Sequence, residues 1–179
     1  IEMGVDVNKA DKSGNSPFIS AARKGNLALL RLLSEHGANP DQSTDGGENA
    51  LSIAIRNNHF EIVEFLLSKD VKNVSLYLWD VNMWDGIGMM QLLVKNGADI
   101  DLQSNARCHE YRTLLKRAID EKNIKLACAL VDMGAKLQYT SAGKMRYMFT
   151  EAVKLGDMEL IKKMLEHGAD INENNSSPF

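Results

Sequence analysis

One helix-turn-helix unit recurs along this chain of 179 residues, and its clearest copy runs from Ser16 to Pro40. That copy reads SPFISAARKGNLALLRLLSEHGANP. Ser16 followed by Pro17 predicts a helix start, because a serine hydroxyl caps free backbone N–H groups and proline's fixed φ suits the first helical position. Gly25 is expected to end that helix, and Gly37 to end a second, leucine-rich one. The unit therefore predicts two short antiparallel helices.

The residue that ends the second helix gives a register for the rest of the chain. The corresponding positions are separated by 33, 27, 37 and 34 residues, and they are Gly37, Asp70, Gly97, Gly134 and Gly168. Sixteen residues earlier stand small side chains: Ala21, Ala54, Val81, Ala118 and Ala152. Four residues earlier stand long apolar ones: Leu33, Leu66, Leu93, Leu130 and Met164. Stacked helix pairs need small and long residues at such fixed positions.

Three of these segments, SPFISAARKGNLALLRLLSEHGAN, NALSIAIRNNHFEIVEFLLSKDV and EAVKLGDMELIKKMLEHGADIN, resemble the ankyrin-repeat pattern TPLHxAAxxGHxEIVxLLLxxGADVN. The resemblance implies an all-α solenoid of stacked antiparallel helix pairs with β-hairpin-like finger loops. We expect one domain over 1–179, and a fragment of a longer protein because both ends resemble interrupted repeats. Its parts would be a partial repeat at 1–10, repeats at about 11–43, 44–74, 75–101, 102–138 and 139–172, and the start of another at 173–179.

Three repeats depart from the register. The third is short, which predicts a reduced finger over 71–75 and a helix capped by Ser75. The fourth carries extra residues, so the loop over 102–112 should project. In the fifth, Tyr147 occupies the capping position but cannot cap, so we expect a longer helix that begins near Thr140 or Ser141.

Composition limits the functional classes. The formal net charge of −3 argues against general affinity for nucleic acid or for an anionic membrane, and no apolar stretch is long enough to span a bilayer. The two cysteines, Cys108 and Cys128, indicate a reducing compartment with free thiols. We expect an intracellular, cytoplasmic monomer, and delivery into a host cell is the alternative.

No motif predicts catalysis, a cofactor or a metal site. The four histidines form no HExxH, and Gly86-Ile87-Gly88 lacks the third glycine of a dinucleotide site. Cys108 and His109 could ligate a metal or form a nucleophilic site, but neither three further ligands nor a positioned base is evident. We interpret Cys108 as a loop thiol and Cys128 as a small packing residue. The expected protein is therefore not an enzyme.

The resemblance implies a scaffold that binds another protein through its concave helix face and fingers. The positions it assigns to that surface are Lys12, Ser13, Asn15, Arg23, Lys24, Asp45, Glu48, Arg56, Asn57, Met83, Trp84, Asp120, Glu121, Lys154 and Leu155. Their charge changes from basic in the early repeats to acidic in the fourth, which would suit a partner of opposite polarity. Trp84 is either an exposed anchor or, with Tyr77 and Trp79, a filler of the space left by the short finger. The alternative function is a targeting or regulatory segment joined to an enzyme domain outside this chain.

Overall fold

The computed structural model describes residues 6–69, 73–103, 113–141 and 144–171. The chain divides into two compact units, residues 1–82 and 83–179. Helices of the first unit are α1 (Pro17–Arg23), α2 (Leu27–Glu35), α3 (Ala50–Arg56), α4 (Phe60–Leu67) and a 3₁₀ helix (Val74–Trp79). Those of the second are α5 (Ile87–Lys95), α6 (Leu114–Asp120), α7 (Ile124–Asp132), α8 (Met148–Leu155) and α9 (Met158–Glu166).

Helix pairing follows the same rule within each unit. In the first unit, α1 packs on α2 and α3 on α4, while α1 also contacts α3 and α2 contacts α4. In the second unit, α6 and α7 form one pair and α8 and α9 form the next. Across these pairs, α6 contacts α8 and α7 contacts α9. The described fold is therefore a set of antiparallel helix pairs stacked in sequence, as the repeats predicted.

The core consists of the side chains that the register singled out. The small residues sixteen positions before each helix end are buried, and so are the long apolar residues four positions before it. The residues eight positions before behave alike in four repeats, where Ile62, Met89, Leu126 and Leu160 are buried, whereas Leu29 is exposed. Repeated burial at fixed positions explains why helices only seven to nine residues long are stable in this protein.

Local sequence sets the helix boundaries as predicted. Ser16 accepts a hydrogen bond from the backbone N–H of Ile19 at 3.3 Å, and Thr113 accepts one from Lys116 at the same distance. Gly25 has φ +71° and Asn58, at the corresponding position, has φ +55°. Asparagine tolerates this left-handed conformation better than most residues, so it replaces glycine there at low cost.

The predicted α-helix of the third repeat is wrong. Residues Val74–Trp79 form a 3₁₀ helix preceded by Asn73, whose backbone is left-handed with φ +58°. Ser75 lies inside this helix and is not its cap. The tighter 3₁₀ geometry joins Leu76 N–H to the Asn73 carbonyl at 3.0 Å and is usual in short segments. Of the predicted finger over 71–75, residues 71 and 72 lie outside the described residues, and 74–75 already belong to the 3₁₀ helix.

The expected early start of the fifth repeat's first helix is also wrong. Strands β1 (Gln138–Ser141) and β2 (Lys144–Tyr147) pair in antiparallel fashion, with Gln138 opposite Tyr147. Strand pairing satisfies the backbone groups that a longer helix would have used, so α8 begins only at Met148. Tyr147 precedes it in extended conformation and makes no side-chain cap, as the sequence indicated. The loop predicted to project over 102–112 lies outside the described residues except for its first two positions.

Candidate protein-binding surface

The predicted residues of the first finger lie on a turn that Asp11 organises. The Asp11 carboxylate accepts hydrogen bonds from the backbone N–H of Ser13 at 2.8 Å and of Asn15 at 2.9 Å. These bonds lower the pKa of Asp11 below its ordinary value. Lys12 and Ser13 are exposed, whereas Asn15 is half-buried. Of these three residues, Lys12 and Ser13 are therefore open to a partner.

The second finger lies directly against the first. Asp45 N–H donates to the Ser13 carbonyl at 3.2 Å, and a Cβ on Gly14 would meet the Thr44 and Asp45 backbone at 2.9 Å. Ser43 and Asn49 form a β-bridge at the base of this finger. The two fingers thus present Lys12, Ser13 and Asp45 on neighbouring turns.

Glu48 joins the two arginines predicted to form the basic end of the surface. Its carboxylate lies 2.7 Å from Arg56 Nη1 and 3.9 Å from Arg23 Nη2. Both guanidinium groups are partly exposed, yet each faces the same carboxylate. The positive charge predicted for this end of the surface is therefore partly neutralised by the protein's own Glu48 carboxylate. Sequence reasoning missed the pairing because Glu48 is on a finger, and the arginines end α1 and α3.

Asp80 adds a second carboxylate to this network. One oxygen lies 3.9 Å from Arg56 Nε, which is too long for a hydrogen bond. Burial raises the pKa of Asp80, with Arg56 lowering it and Glu48 raising it by smaller amounts. Asp80 was not among the predicted site residues, because only the 3₁₀ helix brings it towards Arg56.

A cavity of about 350 Å³ lies beside these charged groups. Its wall includes the turn of the second finger, the polar side of α3 and the 3₁₀ helix. Asn49 Nδ2 donates to the Tyr77 hydroxyl at 2.8 Å and so ties the finger to the 3₁₀ helix. Leu76, also lining the cavity, is 59% exposed.

The ends of α1 and α3 carry the remaining predicted residues of the first unit. Lys24 and Asn57 are the C-caps of these helices, and both are exposed. Asn57 Nδ2 donates to the Ile53 carbonyl at 2.9 Å, so its side chain is held by its own helix.

Met83 does not belong to the exposed surface, which corrects the sequence prediction. It is 4% exposed, and its carbonyl accepts a hydrogen bond of 2.7 Å from the buried Asn123 side chain. The adjacent Trp84 is 67% exposed, so its side chain does not fill the core. The two neighbours were predicted to share one face, but the turn before α5 separates them into a core residue and a surface residue.

The acidic residues of the fourth repeat are paired within their own helix. Arg117 Nε lies 2.8 Å from Glu121, and Lys116 forms the equivalent ion pair with Asp120. In the fifth repeat, Lys154 lies 3.0 Å from Glu151, and Leu155 is half-buried. The predicted acidic end therefore also carries its own compensating cations.

The histidines and the cysteine considered for catalysis or metal binding have structural roles wherever the structure describes them. His59 immediately precedes α4 and places Nε2 3.3 Å from the Arg23 carbonyl, while His167 immediately follows α9 with Nδ1 2.9 Å from the Lys163 carbonyl. Cys128 is buried in α7, and burial raises the pKa of its thiol. Within 6–69, 73–103, 113–141 and 144–171, histidine, cysteine and acidic side chains form no cluster suited to a metal ion. Cys108 and His109 lie outside these ranges.

Helix length is informative about membranes too. Across the portion of the chain that the structure describes, no helix is both long and apolar enough to cross a bilayer.

Comparison with known proteins agrees with this architecture. Residues 1–76 match the family model for ankyrin repeats in three copies. The ankyrin repeat and KH domain-containing protein mask-1 of Caenorhabditis elegans is 26% identical over 170 residues, covering 93% of this chain and 6% of that protein. A putative ankyrin repeat protein of fowlpox virus is 27% identical over 167 residues, with coverages of 93% and 31%.

A third relative is the transient receptor potential cation channel subfamily A member 1 homolog of Caenorhabditis elegans. It is 26% identical over 175 residues, covering 93% of this chain and 14% of the channel. The chain spans less than a third of the length of each of these relatives. Together with the stacked helix pairs, the matches support an ankyrin-repeat stack, and the family model itself covers residues 1–76. Ankyrin repeats are, in general, protein-interaction modules.

Proposed function

We propose that this chain is a non-catalytic scaffold that binds another protein through its finger loops and the C-terminal ends of its first helices. The observation that carries the proposal is the exposure of Trp84, an indole at a ligand-facing position of the family. Large aromatic side chains dominate binding energy at protein interfaces, since they bury much area with little loss of conformational entropy.

The surroundings of Trp84 support its role as an anchor. The buried Met83 precedes it, and the hydrogen bond from Asn123 holds the Met83 backbone. The indole is therefore presented from a fixed segment of the second unit. A partner that meets an indole on a fixed backbone segment loses less entropy than one that must first order that segment.

The internal ion pairs define what the charged positions contribute. Because Arg56 and Glu121 already have partners at 2.7 and 2.8 Å, a binding protein gains little net energy by contacting them. We therefore expect the charged positions to orient the partner and to speed its association, and the apolar contact of Trp84 to supply most of the affinity.

The test compares capture by the wild-type chain, Trp84→Ala and the matched control Met158→Ala. Met158 is 63% exposed, lies in the same unit at the start of α9 and is not among the predicted binding residues. Chains immobilised on beads are incubated with an extract of the source cells, and retained proteins are quantified by mass spectrometry. We expect a partner retained by wild type and Met158→Ala but lost by Trp84→Ala. Its Kd should rise about 30-fold, the equivalent of about 2 kcal/mol. Equal retention by both variants would refute the assignment of Trp84.

The relatives' greater length supports a second candidate function. The chain would then be a targeting or regulatory segment that positions an enzyme domain of a longer protein. Sequencing the full reading frame tests this, since a catalytic signature beside the repeats would support it. A frame that encodes repeats alone would rule it out.

A further inference from the structure

We infer that the cavity between the second finger, α3 and the 3₁₀ helix receives a lysine or arginine side chain from a peptide segment of the partner. This inference rests on the proposed function and names the chemistry of one contact. All the groups involved belong to the first unit.

The cavity has room for one long side chain. Its volume is about 350 Å³, within the range of small ligand sites. The bond between Asn49 and the Tyr77 hydroxyl fixes two sides of it. Since that bond joins the finger to the 3₁₀ helix, the cavity is formed before a partner arrives.

The charges of the lining select a cation. Glu48, Asp80 and Arg56 line the cavity, so two carboxylates face one guanidinium group. Arg56 is held by Glu48 at 2.7 Å, whereas its Nε is 3.9 Å from Asp80. Arg23 reaches Glu48 alone, at 3.9 Å. Asp80 thus has no ion-pair partner within hydrogen-bond distance among the described residues, and a visiting ammonium or guanidinium group would supply one.

The position of Asp80 is costly for the folded protein. Burial raises the pKa of its carboxyl above the ordinary value of 3.8, so the ionised form is disfavoured in the fold. A bound cation would offset this desolvation cost. The exposed Leu76 at the same cavity offers an apolar contact for the residue beside the cation.

The test is a selection of displayed random peptides on the full chain. Wild type is compared with Asp80→Asn and with the control Asp41→Asn, which removes an exposed carboxylate of the same unit outside the cavity. We expect peptides selected by wild type and by Asp41→Asn to share a lysine or arginine beside an apolar residue. Peptides selected by Asp80→Asn should lack that preference.

A selected peptide then allows a direct measurement. Its Kd should rise at least tenfold when Asp80 becomes Asn, and to a similar extent when its own cation becomes glutamine. Both changes together should weaken binding little more than either alone, because they remove the same contact. Peptides without a cation, additive effects, or no peptide retained by wild type would each overturn the inference.

Two controls separate the possible causes of failure. Asp80→Asn should unfold at the same or a higher temperature than wild type at neutral pH. This difference should shrink as the pH falls towards the pKa of Asp80, where the wild-type carboxyl becomes neutral. If Asp80→Asn folds poorly, the glutamine peptide still decides the question on the wild-type chain. Trp84-dependent capture without cation selectivity refutes only this inference, whereas cation selectivity without Trp84 dependence refutes the role of Trp84 in the proposed function.

Discussion

At the scale of single residues, Gly25 and Gly37 separate two constraints, the backbone conformation and the space for a side chain. Both have left-handed backbones, with φ +71° and φ +82°. A Cβ on Gly25 would also lie 2.8 Å from Cε1 of His59, whereas a Cβ on Gly37 would meet nothing within 4 Å. Alanine at Gly37 therefore measures the backbone cost alone, and alanine at Gly25 adds a collision.

We expect Gly37→Ala to lower the free energy of unfolding by about 1 kcal/mol, the cost of a left-handed alanine. Gly25→Ala should cost about 0.5 to 1 kcal/mol more, since the His59 ring must turn aside and lose its contact with the Arg23 carbonyl. The control is Gly46→Ala, whose Cβ would approach only the Thr44 hydroxyl at 3.6 Å and should change stability by less than about 0.5 kcal/mol. Urea unfolding followed by circular dichroism measures all three. Equal losses at Gly25 and Gly37 would contradict the role of His59.

At the scale of elements, the second helix of several repeats begins with a side-chain cap at the same position. Asn26, Asn123 and Asp157 accept hydrogen bonds from the backbone at 2.9, 3.1 and 2.9 Å. Asn123 differs because it is buried and its Nδ2 also donates to the Met83 carbonyl. It therefore joins α7 to the turn that carries Trp84.

Replacing Asn123 by alanine should cost more than replacing Asn26. Asn26→Ala removes an exposed cap, worth about 0.5 to 2 kcal/mol. Asn123→Ala also leaves the Met83 carbonyl without its donor, which adds about 1 to 3 kcal/mol. Asn123→Ser keeps a capping oxygen but is too short to donate to the Met83 carbonyl, so it should recover only the capping part of the loss. Thermal and urea unfolding give these differences, and equal costs for the two alanine variants would contradict the linking role.

Sequence patterns anticipated part of this element-level structure. They placed the cap at Ser16 correctly because hydroxyl capping depends on neighbouring residues alone. They implied hairpin-like fingers in general but placed a helix start within the β1–β2 hairpin, and they did not anticipate the 3₁₀ helix, where chain length overrides the repeat register. The burial of Met83 beside an exposed Trp84, and the sharing of Glu48 by two arginines, depend on backbone direction and contacts between repeats. Such features leave no mark in the spacing of residues.

At the scale of the whole molecule, stability depends on apolar residues that recur at equivalent positions in successive repeats. Leu93 on α5 is fully buried, as are its counterparts Leu130 and Met164. Leu165, the neighbour of Met164 on α9, is 37% exposed. A given side chain thus contributes according to its place in the register.

Leu93→Ala should lower the free energy of unfolding by about 2 to 5 kcal/mol, because it removes buried methyl groups and leaves a cavity. The control Leu165→Ala, in the same unit, should cost about 1 kcal/mol or less, as its side chain already contacts solvent. Chemical unfolding of both variants provides the comparison. A similar loss for both would contradict the placement of the core.

The ion pairs that Glu48 forms with Arg23 and Arg56 affect the cooperativity of unfolding. This carboxylate belongs to the second finger, yet it faces the ends of α1 and α3, which come from successive repeats. Part of the coupling between those repeats therefore resides in the finger and not in the packed helices. Salt screens exposed ion pairs but leaves buried apolar contacts nearly unchanged. Raising the ionic strength should thus loosen the communication between the two repeats while each helix pair keeps its own stability.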